Sequence, residues 1–254
     1  MVTNLSEKNY YELMLEVNVQ SLFVMLPTLD EEKALANVFN RIPFSRLSKM
    51  GYDCRVVVVD GGSEDNTVKI AREYDCEVIE QWGEGKGAGM RQAFKMFLEQ
   101  KGDTLVMLDS DGTYHPEEIP DLVSVLPKDG VVIGDRLQGN LASDAMTSTN
   151  WIGNQLLTWL AVALHEVKIT DLCSGFWAFS RTAVENLKLN SMRFEIEAEM
   201  YTSCAFNKIP ITHVPITYSK RIGKAKLGSI KDGSSIARKL IIRRFFPTPH
   251  EERQ

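Results

Sequence analysis

Four consecutive valines, at positions 56–59, limit the fold of this chain more than any other feature. A β-branched run without polar alternation is typical of a strand that is covered on both faces, as the strands of a parallel sheet are. Apolar runs also occur at positions 21–26 and 105–108, and a turn and a helical pattern follow each of them. Strands therefore alternate with helices, which predicts an α/β fold with a mostly parallel central sheet, right-handed crossovers and helices on both faces.

Three carboxylates follow these strands directly. Asp60 ends the valine run, and Asp109 and Asp111 follow the run at 105–108. Because alternate residues of an extended chain point to the same side, we expect Asp109 and Asp111 to face the same way. Two carboxylates at the carboxyl edge of an α/β sheet suit a hard divalent cation that also binds a ligand's phosphate oxygens. A solvated turn that leads into a helix cap explains the Asp-x-Asp spacing equally well, so the rest of the chain decides.

A glycine-rich segment at positions 83–89 precedes a predicted helix over about 90–99. Such a backbone can approach a phosphate closely. The glycines match the dinucleotide-binding fingerprint only formally, because that fingerprint belongs on the first strand–helix turn. Lys86 is followed by Gly87 rather than by Ser or Thr, which excludes the phosphate-loop motif.

The second half of the chain adds further polar residues at predicted element ends. Arg136 ends a predicted strand, and Glu195 and Glu199 share one face of a predicted helix at the i, i+4 spacing. A last strand is predicted over 211–218. Because it contains Pro215, we expect it at an edge of the sheet.

The length of 254 residues, with 44% hydrophobic and 25% charged residues, is sufficient for one globular domain with tails. We predict an N-terminal extension over 1–20, a catalytic domain over 21–219 and a basic C-terminal tail over 220–254. The net charge is −5, but the residues from Ile216 onward carry ten Lys or Arg against three Asp or Glu. This asymmetry predicts an anionic partner at the C-terminal end.

Several classes of protein are disfavoured by composition. The four cysteines form no Cys-x-x-Cys pair, as is typical of buried thiols in a reducing cytoplasm. The longest apolar stretch, 156–164, is far shorter than the roughly 20 residues that span a bilayer, and the first 20 residues lack a signal-peptide pattern. Residues 234–246 mix apolar and basic side chains, which makes them a candidate interfacial membrane helix. We expect no nucleic-acid partner.

Eight short motifs stand in order along residues 21–232. They are Pro27-Thr28 with Glu31, Val59-Asp60-Gly61-Gly62-Ser63 with Asp65 and Thr67, Gly85-Lys86-Gly87, Asp109-Ser110-Asp111, Gly134-Asp135-Arg136, Asp171 with Gly175-Phe176, Phe194-Glu195, and Arg221 to Lys226 before Asp232-Gly233. Each motif alone carries little information. The ordered set resembles the inverting family 2 glycosyltransferases of the GT-A fold, and in particular the polyprenyl-phosphate or dolichyl-phosphate glycosyltransferases of archaeal N-glycosylation.

This resemblance implies a GT-A fold and gives roles to particular residues. The implied contacts to the donor's base and ribose are Pro27, Thr28, Glu31 and Asp60, with Lys86 nearby. Asp109 and Asp111 would bind Mg²⁺ or Mn²⁺ on the donor diphosphate. The implied phosphate-facing cations are Arg136, Arg221 and Lys226, and Glu195 or Asp171 would orient the sugar or the acceptor.

The implied activity is transfer of a sugar from a nucleoside-diphosphate sugar to dolichyl or polyprenyl phosphate, the first step of lipid-linked glycan assembly for protein N-glycosylation. UDP-GlcNAc or UDP-glucose is the expected donor, because Asp111-Gly112-Thr113-Tyr114 lacks the Gln of mannose-transferring relatives. The chain contains no Gln-x-x-Arg-Trp motif, which argues against a processive polysaccharide synthase. The expected location is peripheral, on the cytoplasmic face of the cell membrane.

Two alternatives stay open at this point. A soluble family 2 glycosyltransferase with a sugar or protein hydroxyl as acceptor would need a general base, for which Glu195 or Asp171 would serve. A non-catalytic module that binds a nucleotide sugar or a membrane surface would need neither a metal nor Asp111. A lipid phosphate, by contrast, is already an anionic nucleophile and requires no base.

Overall fold

Seven strands form the central sheet in the computed structural model, which describes residues 19–223 and 229–249. The strands are β1 Gln20–Thr28, β2 Tyr52–Asp60, β3 Glu77–Glu80, β4 Thr104–Leu108, β5 Val131–Leu141, β6 Phe176–Ser180 and β7 Ile211–Tyr218. The α-helices of the described residues are α1 Leu35–Asn40, α2 Phe44–Lys49, α3 Thr67–Glu73, α4 Lys86–Glu99, α5 Ile119–Ser124, α6 Ser148–His165, α7 Arg181–Asn186, α8 Ile196–Asn207 and α9 Ser229–Phe245, and a short 3-10 helix, Pro116–Glu118, precedes α5.

The strand order is β3-β2-β1-β4-β6-β5-β7, and β1 to β4 pair in parallel. The prediction of a mostly parallel sheet is therefore confirmed. Strand β6 runs antiparallel to both β4 and β5, a reversal that the sequence pattern did not indicate. Strand β7 pairs with β5 and is the last strand in the order, so it lies at the sheet edge, as Pro215 predicted.

Parallel pairing brings the predicted site residues to one edge of the sheet. Thr28 and Asp60 are register partners at the ends of β1 and β2. Met25 pairs with Met107, so the residues that follow β4 emerge beside the end of β1. Strand β5 has the same direction as β4, since both are antiparallel to β6, and it brings Arg136 to this edge as well.

The sheet separates two apolar layers, and β1 explains why its sequence is continuously apolar. Phe23 and Met25 belong to one apolar layer with residues of α4, α6, α7, α8 and α9, whereas Leu22, Val24 and Leu26 belong to the other layer with residues of α1, α2, α3 and α5. All five side chains are at most 1% exposed. A strand that is covered on both faces gains from apolar residues at every position, which is what the run at 21–26 provides.

Several boundaries differ from the sequence predictions. Helix α4 begins at Lys86 and thus contains Gly87 and Gly89, although the glycine-rich segment predicted a later start. Helix α9 covers most of the helix that was predicted over 234–246. It packs against α6 and α8, and the proposed division at residue 220 remains a prediction. None of the described helices is long and apolar enough to cross a membrane.

Phe97 of α4 provides a test of the first apolar layer. Its ring is fully buried and lies edge-on to Phe23, with ring centroids 5.4 Å apart. We expect Phe97→Ala to lower the free energy of unfolding by about 3–5 kcal/mol, because it leaves a cavity in close-packed surroundings. Urea denaturation measures this loss. Phe44→Ala is the matched control, since Phe44 is 46% exposed, and an equal loss there would contradict this account of the core.

Candidate active site

A cavity of about 890 Å³ opens at the carboxyl edge of the sheet. The predicted residues that line it are Pro27, Thr28, Glu31, Lys86, Asp109, Asp111, Arg136 and Arg221. Further lining residues come from α6, α8 and the start of α9. Asp60, Asp171 and Glu195 do not line the cavity, and Lys226 lies outside the described residues. The chain therefore brings eight of the twelve predicted residues together around one space.

The Asp111 carboxylate is held by Thr113 of its own turn and by the guanidinium of Arg221. Its Oδ1 accepts hydrogen bonds from the backbone N–H (2.9 Å) and the hydroxyl (2.5 Å) of Thr113. Its Oδ2 lies 3.2 Å from Arg221, which also donates to Glu31 at 2.7 Å. Burial and the neighbouring Asp109 carboxylate raise the pKa of Asp111, although Arg221 and Thr113 act in the opposite direction.

Lys86 connects the second carboxylate of the pair to a residue that the sequence analysis missed. Its Nζ donates at 2.6 Å to Asp109 Oδ1 and at 2.6 Å to Glu197 Oε1. Burial lowers the pKa of Lys86, but the two carboxylates outweigh burial and raise it, so the ammonium stays charged. Gly175 leaves the space that the Asp109 carboxylate occupies, since a Cβ there would collide with it.

The i, i+4 spacing predicted Glu195 and Glu199 on one helix face, yet Glu197 is the glutamate that lines the cavity. Every residue of α8 from Ile196 to Cys204 is buried, so this helix has no solvated acidic face to which the i, i+4 rule could apply. Glu195 is half-buried and accepts hydrogen bonds from the backbone N–H groups of Met192 (3.2 Å) and Arg193 (3.4 Å). Its implied role in orienting a substrate remains a prediction, but its carboxylate is engaged in its own turn.

Arg136 is held in the cavity wall by Asp171. The guanidinium donates two hydrogen bonds of 2.7 Å to the two carboxylate oxygens, and the Arg136 backbone N–H adds a third at 3.0 Å. Asn154 of α6 donates to Asp171 Oδ1 at 2.6 Å. Burial would raise the pKa of Asp171, but Arg136 outweighs it and holds the pKa below its usual range. Asp171 is completely buried and accepts four hydrogen bonds, so its carboxylate positions Arg136, while its implied role in orienting a substrate remains a prediction.

Asp60 also acts through the backbone. Its carboxylate accepts hydrogen bonds from the N–H groups of Gly62 (3.1 Å) and Ser63 (3.1 Å), and it is only 4% exposed. This arrangement fixes the turn after β2, next to Thr28 and the lining residue Gly61. The direct ribose contact implied for Asp60 therefore remains a prediction, while its support of the turn is observed.

Asp109 and Asp111 suit a metal ion that takes its remaining ligands from water and a bound phosphate, and not a site built entirely from protein side chains. Within the described ranges, no group of three or more His, Cys, Asp or Glu side chains is arranged to hold a metal ion. Mg²⁺ and Mn²⁺ accept two carboxylates when waters and ligand phosphates supply the remaining oxygens. The two aspartates fit that chemistry, and Lys86 and Arg221 neutralise them in the present geometry.

The chain is similar to a known protein family and to several archaeal proteins. The model of glycosyl transferase family 2 matches residues 23–188. The chain is 33% identical over 216 residues to glycosyltransferase AglJ of Haloferax volcanii, covering 84% of this chain and 68% of that protein. It is 30% identical over 233 residues to a dolichyl-phosphate hexose transferase of the same organism, covering 90% and 96%. It is 28% identical over 217 residues to UDP-N-acetylglucosamine–dolichyl-phosphate N-acetylglucosaminyltransferase of Methanococcus voltae, covering 77% and 84%.

The fold has a counterpart among solved structures. Glucosyl-3-phosphoglycerate synthase from Mycobacterium tuberculosis, in complex with Mn²⁺, UDP and phosphoglyceric acid, superimposes with a TM-score of 0.67 at 20% identity. The match covers 99% of this chain and 86% of that chain. At this identity the likeness concerns the fold alone, and it confirms the predicted GT-A architecture.

Asp171→Asn tests how Arg136 is held. The amide keeps the shape but leaves a buried guanidinium without its counter-charge, so we expect the free energy of unfolding to fall by about 3–5 kcal/mol at neutral pH. The pKa of Asp171 is lowered in the folded state. The stabilisation that its ion pair with Arg136 gives the wild-type protein is therefore present above the ordinary aspartate pKa, and it is lost as pH falls through the folded-state pKa. Urea denaturation at several pH values measures both effects.

The control for Asp171→Asn is Asp121→Asn. Asp121 pairs with Arg46 at 2.8 Å, but both side chains are at least half exposed. Removing such a pair changes stability by about 1 kcal/mol or less. Equal losses in the two variants would contradict the role given to Asp171.

Proposed function

This chain belongs to glycosyl transferase family 2, and we propose that it transfers a hexose or N-acetylhexosamine from a nucleoside-diphosphate sugar to a polyprenyl or dolichyl phosphate. The observation that carries the proposal is the cavity itself. It joins the Asp109–Asp111 pair to the cationic side chains of Arg136 and Arg221, and helices with apolar outer faces border it. The names of the relatives in Haloferax volcanii and Methanococcus voltae support the same acceptor.

The donor nucleotide would bind at the end of the cavity formed by β1 and β2. Pro27, Thr28 and Glu31 line this end together with Gly61. Lys86 and Arg221 lie beside the two aspartates, where both cations can donate hydrogen bonds to a diphosphate. UDP is the proposed nucleotide, and UDP-GlcNAc and UDP-glucose are the proposed donors; the name of the Methanococcus voltae relative supports a UDP sugar.

A divalent cation, Mg²⁺ or Mn²⁺, would be held by Asp109 and Asp111 together with the diphosphate. When bound, such an ion neutralises the charge that develops on the leaving nucleoside diphosphate. The cations of the chain itself add to this effect. Lys86 and Arg221 are oriented by carboxylates before the substrate binds, so little reorganisation is needed when charge develops.

The acceptor phosphate would lie against Arg136. An oxygen of the lipid phosphate forms the new bond to the anomeric carbon, and the bond from that carbon to the donor diphosphate breaks with its electron pair. No proton has to be removed from an anionic phosphate. Among the acids that were predicted as possible bases, Asp171 is saturated by Arg136 and Asn154, and Glu195 binds its own turn. This arrangement favours a phosphate acceptor over a hydroxyl acceptor.

Helix α6 supplies the argument for a membrane surface. Its outward residues Ile152, Leu156 and Trp159 are 52%, 63% and 70% exposed, whereas the inward residues Asn154 and Thr158 are polar and buried. The helix contains no Asp, Glu, Lys or Arg. Apolar side chains with an exposed Trp, on the outside of a helix, suit the interface of a lipid bilayer.

Helix α9 extends this surface. It packs against α6 and exposes Ile241, Ile242 and Phe245, while Lys231 and Arg238 are exposed on the same helix. Apolar and basic side chains together favour an anionic lipid surface. Both helices border the cavity, α6 at Gly153 and α9 at Gly233. A lipid phosphate would therefore enter the cavity from the side that faces the membrane. We therefore propose a peripheral location on the cytoplasmic face of the membrane.

A donor panel tests the activity. Purified protein is incubated with Mg²⁺ or Mn²⁺, dolichyl phosphate and a series of UDP and GDP sugars, and lipid-linked sugar is followed by mass spectrometry. We expect product from one UDP sugar, loss of product with a chelator, and a loss of roughly 100-fold or more in Asp111→Asn. Asp53→Asn is the control, because Asp53 is 62% exposed on the side chain and belongs to β2 away from the cavity.

Other outcomes of the panel would overturn the proposal. Nucleotide release that depends on a soluble hydroxyl acceptor would favour the alternative glycosyltransferase. Metal-independent nucleotide binding that Asp111→Asn leaves unchanged, without any transfer, would favour a binding module.

Trp159→Asp tests the membrane surface. We expect this variant to bind vesicles of phosphatidylcholine and phosphatidylglycerol about tenfold or more weakly, because burial of a large apolar side chain contributes about 1.5–3 kcal/mol. Vesicle sedimentation measures the partition. Trp82→Asp is the matched control, since Trp82 is 82% exposed but lies outside α6 and α9. Equal binding by wild type and Trp159→Asp would contradict the proposed surface.

A further inference from the structure

A buried ion pair outside the cavity joins α8 to α9. Arg243 of α9 donates to Glu199 Oε1 of α8 through Nε, at 2.9 Å, and through a second nitrogen. Glu199 is completely buried and Arg243 is 5% exposed. Burial would raise the pKa of Glu199, but Arg243 and Lys239 lower it, so the carboxylate remains charged. Buried charges of this kind are costly unless both partners are present, and nothing in the transfer reaction uses them.

The same pair fixes the segment that precedes α8. The other oxygen of Glu199 accepts hydrogen bonds from the backbone N–H groups of Asn190 (2.8 Å) and Ser191 (2.7 Å). Arg243 and Lys239 donate to the Asn190 side chain at 2.7 Å and 3.0 Å. The segment 190–192 is therefore bound on one side by α8 and on the other by α9.

This segment lies directly on the first turn of α4, where Lys86 is located. The backbone N–H of Ala88 donates to the Met192 carbonyl at 3.1 Å. A Cβ at Gly85 would lie 2.6 Å from the Met192 carbonyl oxygen, and a Cβ at Gly87 would lie 2.6 Å from that of Ser191. Both distances are far below van der Waals contact, so only glycine permits this approach. The position of segment 190–192 thus determines the backbone on both sides of Lys86.

Helix α8 provides a second connection to the same lysine. Glu197 and Glu199 are two residues apart, which places them on roughly opposite sides of a helix. Glu197 accepts from Lys86 Nζ at 2.6 Å, while Glu199 binds Arg243. The first turn of α8 therefore contacts the cavity with one glutamate and α9 with the other.

We propose that Glu199 and Arg243 are positioning residues that couple the packing of α9 against α8 to the position of the Lys86 ammonium beside Asp109. The inference rests on the proposed function, in which Lys86 contacts the donor diphosphate and α9 contacts the membrane. When α9 packs against α8, Arg243 reaches Glu199 and the Asn190 side chain, and segment 190–192 is then held by both helices. Donor binding and contact with the lipid-facing helix are then linked through ordinary packing and hydrogen bonds.

The test compares Arg243→Gln with Arg244→Gln, its neighbour on the exposed side of α9. UDP binding in the presence of Mg²⁺ is measured by calorimetry, without lipid or acceptor. We expect Arg243→Gln to weaken binding by roughly tenfold and Arg244→Gln to leave it unchanged. In a Lys86→Met background we expect no further loss from Arg243→Gln, because the effect passes through Lys86. The inference is overturned if Arg243→Gln weakens UDP binding by the same factor in the Lys86→Met background as in the wild-type protein, or if Arg243→Gln alone binds UDP normally.

A second measurement separates positioning from a general loss of stability. The side-chain NMR signal of Lys86, assigned by its absence in Lys86→Met, should shift in Arg243→Gln and in Glu199→Gln but not in Arg244→Gln, in protein that circular dichroism shows to be folded. An unchanged Lys86 signal in the folded variants would refute the coupling. This readout needs no nucleotide, so failure of UDP to bind wild-type protein would count against the proposed donor and not against the coupling.

Discussion

The arrangement of the cavity depends on the neutralisation of buried carboxylates by fixed cations. Lys86 lies between Asp109 and Glu197, Arg221 lies between Asp111 and Glu31, and Arg136 is held by Asp171. Taking any of these acids out of water is unfavourable without a partner. Pairing satisfies the acids and at the same time orients three cations toward one space. A site that recognises phosphates can thus be assembled before a phosphate arrives.

The parallel sheet brings these charges together, and this part of the molecule could be predicted from the sequence. The valine run, the apolar segment before Asp109 and the turn after each strand indicate strands whose carboxyl ends meet at one edge. Asp109 and Asp111 line the cavity for that reason, whereas the roles of the other six lining residues were implied by the resemblance to the family 2 glycosyltransferases. The pattern is informative because burial on both faces leaves a short continuous run rich in β-branched residues, which is typical of a parallel strand.

The remaining features depend on contacts that local sequence does not record. Helix α4 begins at Lys86 although Gly87 has a low helix propensity. Glycine is needed at this position because segment 190–192 lies too close for a Cβ. Glu197 was missed because α8 is buried on every side, so spacing gave no indication of which glutamate faces the cavity. The antiparallel direction of β6 is likewise a property of the path of the whole chain.

Helix α6 shows how surface contact and phosphate recognition can belong to one element. An ordinary surface helix buries apolar residues and exposes polar ones. In α6, Asn154 points inward and holds Asp171 against Arg136, while Trp159 points outward. The buried amide is therefore part of the site, and the exposed ring is available to the proposed membrane surface. A polyprenyl phosphate has both parts, an anionic head for Arg136 and a hydrocarbon chain that stays in the bilayer. The two faces of this helix consequently match the two chemical halves of the proposed acceptor.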